Sequence, residues 1–327
     1  MDNPTMNARF LIALITLLLA LPATASEYPL NVRSCERLVT FSKAPKRVVV
    51  HDVNMTAMLL HLGLRDSIIG YTGFTRSKHR DPWIDAALEG VPQLASRYPS
   101  IETLLAVDAD LFFAGWNYGM HVGGAVTPAT LAPFGVPVYE LSESCAWVMS
   151  GQRASFDDVY RDLDNLGRMF DHQRQAQALI GQMRQRIAGV QARAGQAQHR
   201  PRVFLYDSGE DRPLTSGRLG MPQALIDAAG GVNVMDDVAA SWTQVNWESV
   251  VERDPDVILI VDYGPRTWQQ KRDFLLHQPA LKDVRAIREQ RFVPLTYLQV
   301  TPSVENVEAV EKIARALHPE LFAAGAP

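Results

Sequence analysis

The sequence predicts an α/β fold of two similar lobes, each with a central sheet flanked by helices, joined by one long interdomain helix. Three observations support this prediction. Short strand-like runs alternate with helical stretches along the chain, which is typical of α/β proteins. A segment of the first half is repeated in the second half. A long amphipathic helical stretch lies between the two copies.

The first 25 residues have the features of a secretory signal peptide. Arg9 is followed by an apolar run over residues 10–21 and by the small-residue sequence Pro22-Ala-Thr-Ala25, the order expected of such a signal. The run is too short for a membrane span, which needs about 20 apolar residues. It also lacks the polar face of a buried N-terminal helix, the alternative interpretation. We expect cleavage before Ser26 and, because no Cys follows the cut, no lipid anchor.

The composition indicates a globular protein and argues against a polyanionic partner. Hydrophobic residues make up 47% of the chain and charged residues 21%, enough for a sizeable core. The formal net charge of −4 argues against nucleic acid or an anionic membrane surface as a partner. We expect an N-terminal lobe over residues 26–170, a linking helix over 171–196 and a C-terminal lobe over 197–327. We also expect a monomer.

The elements of the first lobe follow from short apolar runs and glycine stops. Residues 111–114 are apolar on both faces, as expected of a buried parallel strand. Gly63 and Gly135 each end a helical stretch, a position that favours glycine. The predicted strands cover residues 47–50, 67–70, 111–114 and 136–141, and the predicted helices cover 56–62 and 130–134.

The repeat joins residues 101–119 to residues 247–264. Each copy predicts a short helix that opens with Glu, an Asp-x-Asp turn, a buried strand and an aromatic loop that ends in Gly. Three acidic residues match at one offset of 146 positions: Glu102 with Glu248, Asp108 with Asp254, and Asp110 with Asp256. A repeat of two domain-sized units indicates paired lobes, because a solenoid needs at least three shorter units.

The stretch between the copies, residues 156–194, has apolar residues at spacings of three and four, so it predicts amphipathic helix. We expect a break near Asp171 and a last part polar enough to cross between the lobes without a fully buried face. In the second lobe, the pattern predicts strands at residues 202–206 and 292–295. It predicts helices at 222–229, before Gly230-Gly231, and at 304–317.

The chain has only two cysteines, Cys35 and Cys145. In an oxidising compartment such a pair is a candidate disulfide. Two buried free thiols are the alternative, since free Cys is often buried. No Cys/His cluster with the spacing of a zinc site is present in the sequence.

Several segments together resemble the periplasmic binding proteins of iron-siderophore, heme and cobalamin importers. They are Ala44-Pro-Lys-Arg-Val-Val, residues 55–64 ending in Leu-Gly-Leu, the two repeat copies, Leu214-Thr-Ser-Gly with Gly230-Gly-Val-Asn, and Ser241-Trp-Thr-Gln-Val. The resemblance covers essentially the whole mature chain. It implies a periplasmic protein without enzymatic activity or intrinsic cofactor. Such a protein captures a metal chelate between its lobes and delivers it to the permease dimer of an ABC importer. We expect a ferric siderophore as the ligand, with cobalamin or heme as alternatives.

The resemblance also implies that Glu102 and Glu248 dock to arginines of the permease, one glutamate on each lobe. Two fixed charges would report the spacing of the lobes and set the register of docking. The alternative is local: each glutamate lies near a helix start, where its charge favours the helix dipole, with Ser100 as the N-cap of the first helix.

Ligands of parallel α/β sheets bind beyond the carboxyl ends of the strands. An aromatic cleft suits a large, partly apolar chelate, and an arginine there would pair with a ligand carboxylate. Each residue alone is also compatible with a half-buried aromatic or a solvated charge. The predicted ligand-binding residues are His51, Asp52, Trp116, Asn117, Tyr118, Tyr206, Arg212, Arg218, Trp242, Tyr263 and Tyr297.

Three other functions remain as alternatives to the capture of a siderophore or cobalamin. A heme carrier would use Tyr206, Tyr263 or His51 as axial ligand. A zinc or manganese binder needs converging His and carboxylate ligands, whereas the eight histidines are scattered. A periplasmic enzyme is disfavoured because the sequence has no Gly-x-Ser-x-Gly elbow, phosphate loop or His-Glu-x-x-His motif.

Overall fold

The structure is a computed structural model that describes residues 27–75 and 81–323. The predicted signal peptide lies outside the described residues. Two parallel sheets, each flanked by helices, form two lobes, which confirms the predicted α/β class. Within the described part of the chain, no helix is long and apolar enough to cross a bilayer.

The first lobe is built on a parallel sheet. Its elements are β1 (Leu30–Ser34), β2 (Arg37–Phe41), β3 (Val48–His51), α1 (Val53–His61), β4 (Ile68–Thr72), α2 (Pro82–Ala87), β5 (Gln93–Ala95), α3 (Ile101–Leu105), β6 (Leu111–Trp116), β7 (Gly119–Met120), α4 (Pro128–Leu131), β8 (Val138–Glu140) and α5 (Phe156–Met169). The strand order is β5-β4-β3-β6-β8, all parallel, with β7 beside the end of β6. The antiparallel hairpin β1-β2 forms a separate small sheet.

The second lobe follows the long helix α6 (Gln173–Ala194). Its elements are β9 (Arg202–Tyr206), β10 (Leu214–Ser216), α7 (Met221–Ala228), β11 (Val232–Asn233), β12 (Trp242–Gln244), α8 (Trp247–Arg253), β13 (Val257–Asp262), α9 (Trp268–His277), α10 (Arg285–Arg288), β14 (Phe292–Thr296), α11 (Tyr297–Val300), α12 (Asn306–Leu317) and α13 (Pro319–Phe322). The order β11-β9-β13-β14 is fully parallel, and β10 pairs with β12 as an antiparallel ribbon.

The central strands form because they are apolar on both faces. Every residue of β3 is buried, and so are the first five of β6 and of β13. Such strands are stable only between two layers of helices. Helix α1 begins at Val53, earlier than the predicted residue 56, because the Asp52 carboxylate accepts a hydrogen bond from the Val53 amide at 2.6 Å. The cap is a local contact that the apolar pattern does not show.

The predicted break in the linking stretch is confirmed. Helix α5 ends at Met169, α6 begins at Gln173, and Asp171 between them has a left-handed φ of 57°. Helix α6 then packs against α5 in one lobe and against α12 and α7 in the other. The expectation that its last part crosses between the lobes without a fully buried face is wrong, because Ile187, Val190 and Ala194 continue the buried stripe of the helix.

The repeat is confirmed by matching contacts in the two lobes. The Asp110 carboxylate accepts hydrogen bonds from the amides of Lys46 and Arg47 at 2.9 and 2.8 Å. In the second lobe, Asp256 accepts one from the Arg202 amide at 2.7 Å. The preceding aspartates also match, since Asp108 and Asp254 have φ values of 47° and 37°. The second Asp of each Asp-x-Asp turn therefore hydrogen-bonds the start of one central strand to the start of the neighbouring strand in the sheet.

Candidate functional site

A cavity of about 240 Å³ lies between the lobes, beyond the carboxyl ends of β6, β8, β9, β13 and β14. Parallel sheets place ligand sites at this edge. Its lining residues are Asn117, Tyr118, Glu143, Trp147, Asp207, Leu214, Ser241, Trp242, Tyr263, Tyr297, Val300 and Thr301, and we call this site the cleft. A larger depression of about 400 Å³ beside β2 is lined by first-lobe residues alone, so a ligand there would not contact both lobes.

A tight turn after β6 brings Asn117 and Tyr118 to the cleft. The turn is possible because Asn117 and Gly119 have left-handed φ values of 62° and 94°. The His51 ring packs closely against the turn, because a Cβ atom at Gly119 would lie 2.7 Å from that ring. The His51 Nδ1 atom also forms a 2.8 Å hydrogen bond with Thr72. His51 is therefore buried behind the cleft and is absent from its lining.

A hydrogen bond across the lobes fixes the base of the cleft. The Tyr297 hydroxyl of the second lobe donates to the Asp52 carboxylate of the first at 2.9 Å. Burial and the Asp52 charge raise the pKa of Tyr297 well above its usual value, so the hydroxyl keeps its proton. The Tyr263 ring stacks on Tyr297 with centroids 5.1 Å apart. Two stacked aromatic rings of the second lobe therefore lie at the base of the cleft.

Glu143 faces the cleft from the first lobe. It lies in the 3-10 helix Ser142–Trp147, directly after β8, and only 7% of its surface is exposed. Ser241 of the second lobe donates a 3.4 Å hydrogen bond to its Oε1 atom. Burial raises the pKa of Glu143 to about 7, and the carboxylate of Asp158 adds to the rise.

Asp207 faces the cleft from the second lobe, directly after β9. Burial raises the pKa of its carboxyl group. Behind it, the buried Lys271 ammonium donates to the backbone carbonyls of Asp207, Val261 and Tyr263. Lys271 thus ties together the loops that follow β9 and β13. The Lys271 ammonium donates its hydrogen bonds to these backbone oxygens, and Lys271 is absent from the lining of the cleft.

The structure brings five of the predicted ligand-binding residues together in the cleft: Asn117, Tyr118, Trp242, Tyr263 and Tyr297. Asp52 lies directly behind Tyr297. Two predicted aromatic residues point into the lobes instead. The Trp116 indole donates to Glu140 at 2.8 Å. Tyr206 packs against Trp247 and Phe274 in the second core.

The two predicted arginines are also outside the cleft lining. Arg212 and Arg218 are exposed, and Arg218 donates to the backbone carbonyl of Asp237 at 3.4 Å. Among the described residues that line the cleft, the charged ones are Glu143 and Asp207, and none is Lys or Arg. The cleft is therefore aromatic and acidic, whereas the sequence predicted a site with arginines.

Sequence reasoning missed Glu143 and Trp147 as candidate binding residues. Both follow a strand that the sequence did predict, over residues 136–141. A search of every loop after a strand, applied to residues 142–147 as well, would have found them. Val300 and Thr301 carried no such signal, because they reach the cleft from the end of a short helix, α11.

The unusual pKa of Glu143 predicts a pH-dependent stability. A carboxyl group whose folded pKa is raised, here from 4.5 to about 7, stabilises the fold below the unfolded pKa, and this contribution is lost as pH rises through 7. Asp158 and Asp162 face it from α5, and Ser241 from the second lobe. We expect Glu143→Gln to match the wild type at pH 4.5 and to exceed its free energy of unfolding by about 3 kcal/mol at pH 8. Urea denaturation at both pH values measures this difference, and parallel pH profiles would contradict it.

The two glutamates of the repeat lie at matching places on the two lobes. Glu102 and Glu248 are both exposed in the first turn of a short helix. Ser100 caps the first helix as predicted, accepting a hydrogen bond from Thr103, and this serine lowers the pKa of Glu102. Asn246 caps the second helix in the same way.

The predicted disulfide is confirmed. Cys35, in the turn of the β1-β2 hairpin, is bonded to Cys145 across 110 residues of sequence. Cys145 belongs to the 3-10 helix that carries Glu143 and Trp147 to the cleft. The bond therefore fastens part of the cleft wall to the N-terminal hairpin.

The chain is similar to a known protein family, to relatives of that family and to solved structures. Residues 48–296 match the family described as periplasmic binding protein. A cobalamin-binding protein of Halobacterium salinarum is 24% identical, with 86% of this chain and 71% of that protein covered. A vitamin B12-binding protein of Yersinia pestis is 25% identical, covering 67% of this chain and 70% of that one. The structure of an Fe3+-hydroxamate transport system from Saccharomonospora viridis is 26% identical, with a TM-score of 0.74, and covers 91% and 100%.

The match extends over most of the described chain and includes both sheets and the long helix between them. The family consists of substrate-binding transport proteins, so the expectation that the chain is not an enzyme is confirmed. With its two parallel-sheet lobes and a cleft at their strand ends, this chain belongs to the periplasmic binding protein family of ABC importers.

Proposed function

We propose that this protein captures a corrinoid, a metal chelate of the cobalamin type, between its lobes and delivers it to the permease of an ABC importer. In this proposal residues 1–25 are removed on secretion, and the protein acts as a monomer in the periplasm. Ligand that contacts both lobes favours the closed form through its higher affinity for that form.

The observation that carries the proposal is a strongly aromatic cleft whose described lining has no Lys or Arg. A corrin is a broad ring whose periphery carries neutral amide groups. Tyrosine and tryptophan faces suit the apolar ring, and their polar edges suit the amides. The names of the Halobacterium and Yersinia relatives support the same ligand class.

The size of the cleft has a consequence for binding. A corrinoid is larger than the cavity of about 240 Å³, so its entry requires lobes further apart than in this structure. The 3.4 Å contact between Ser241 and Glu143 joins the two lobes beside the cleft, so opening of the lobes would break it.

A ferric hydroxamate siderophore is the second candidate. It is supported by the likeness to the Saccharomonospora structure, and a neutral ferric hydroxamate does not need a cationic site. Chelates with free carboxylates are less well supported, because Arg212 and Arg218 are outside the cleft lining. This argument also weakens the heme alternative, since heme carries two propionates. Of its predicted axial ligands, Tyr263 alone lines the cleft.

Calorimetric titration tests the proposal. Cyanocobalamin is expected to bind the wild type, and Trp242→Ala to weaken binding by about 10- to 100-fold, because Trp242 offers an indole face inside the cleft. Trp83→Ala is the matched control, since Trp83 lies on α2 outside the cleft lining, and its affinity should equal that of the wild type. Binding of a ferric hydroxamate alone would favour the second candidate, and binding of heme alone would contradict the proposal.

A further inference from the structure

Within the part of the chain that the structure describes, two buried carboxylate oxygens in the cleft have no hydrogen-bond partner. They are the Oε2 atom of Glu143 and the Oδ1 atom of Asp207. The side chains are deeply buried, with only 7% and 5% of their surface exposed, and both line the cleft. Leaving a buried polar atom without a donor is energetically unfavourable, and more so for a charged group.

The surrounding described residues supply no hydrogen-bond donor to these two oxygen atoms. Ser241 reaches the other oxygen of Glu143, at 3.4 Å. Asp207 keeps a side-chain hydrogen bond with Ser208, yet its Oδ1 atom remains without a donor. The nearby Lys271 ammonium donates to backbone carbonyls, among them that of Asp207. A ligand in the cleft can therefore supply the donors that these two atoms lack.

The positions of the two carboxylates matter as much as their burial. Glu143 belongs to the first lobe, after β8, and Asp207 to the second, after β9. A ligand that donates to both connects the lobes and favours their closure. Among the described residues, other side-chain atoms are also buried without a partner, on Asn54, Thr215 and Glu305. Those three residues are absent from the cleft lining.

We infer that Glu143 and Asp207 are specificity-determining residues that accept hydrogen bonds from amide N–H groups on the periphery of the ligand and repel ligands that carry carboxylates there. The inference rests on the proposed corrinoid function and adds to it the residues that recognise the peripheral groups of the ligand. A carboxylate accepts an N–H donor strongly, whereas a ligand carboxylate in the same place would bring two like charges together in a buried site.

The test compares cyanocobalamin with cobalamin monocarboxylic acids, in which one peripheral amide is replaced by a carboxylate. Titrations at pH 8, where Glu143 is largely ionised, should show that at least one of the monoacids binds the wild type about tenfold or more weakly than cyanocobalamin. In Glu143→Gln/Asp207→Asn, this preference should fall to about threefold or less, because both repelling charges are gone. Each single variant should fall between these values, which keeps the test open if the double variant does not fold.

Asp283→Asn/Glu289→Gln is the matched control. It removes the same two charges from exposed positions on the second lobe, and it should retain the wild-type preference. An unchanged preference in the cleft variants, with cyanocobalamin still bound by the wild type, would overturn the inference and leave the proposed function standing. Failure of the wild type to bind any corrinoid would overturn the proposed function and this inference with it.

Discussion

Replacing Glu102 and Glu248 together with alanine is expected to abolish ligand uptake while leaving the affinity of the isolated protein for its ligand unchanged. Both carboxylates are exposed, and they lie at matching places on the two lobes. Ser100 lowers the pKa of Glu102, so this group is charged at neutral pH. We propose that the pair docks to basic residues of the permease, where charge complementarity sets register and encounter rate.

Uptake into proteoliposomes that hold the cognate permease, together with calorimetric titration of the isolated variant, measures both parts of this prediction. The single variants should retain partial uptake, because one docking charge remains. Asp283→Ala/Glu289→Ala, which removes two exposed charges elsewhere, should transport normally. Weaker ligand binding, or a large loss of thermal stability, would instead show that the glutamates serve their own helices.

Loss of the disulfide is expected to have the largest effect on stability. Cys35→Ser/Cys145→Ser should lower the free energy of unfolding by about 4 to 5 kcal/mol, because the bond closes a loop of roughly 110 residues and restricts the unfolded chain. Ligand affinity should also fall, since Cys145 shares a 3-10 helix with Glu143 and Trp147 of the cleft. Urea denaturation and calorimetric titration give the two values.

Reduction of the wild type provides an internal control for the disulfide. A reducing agent should lower the stability of the wild type to that of the double serine variant, and it should leave the variant unaffected. If the oxidised wild type and the variant unfold at the same urea concentration, then the bond contributes nothing to the native state. If stability falls and affinity does not, the bond supports the hairpin alone.

The sequence by itself determined the architecture, because the patterns that encode it are local. Strands β6 and β13 are apolar on both faces, and so they had to be buried between helices. The matched aspartates of the two copies predicted two similar lobes, and Asp110 and Asp256 make the same contact in each. The break near Asp171 and the pairing of the only two cysteines were also predictable from composition and spacing.

The tertiary structure alone decided which side chains enter the cleft. A strand turns successive side chains to opposite faces, so Tyr206 enters the core of its lobe while its neighbour Asp207 faces the cleft. The left-handed turn at Asn117 has a similar effect, because it leaves the Trp116 indole bonded to Glu140 in the first lobe while Tyr118 lines the cleft. The contact of Glu143 with Ser241 of the other lobe is long-range in sequence, and no local pattern encodes it. The sequence therefore determined the two lobes and the edge at which a ligand binds, and the packing of the lobes determined that this edge is aromatic and acidic.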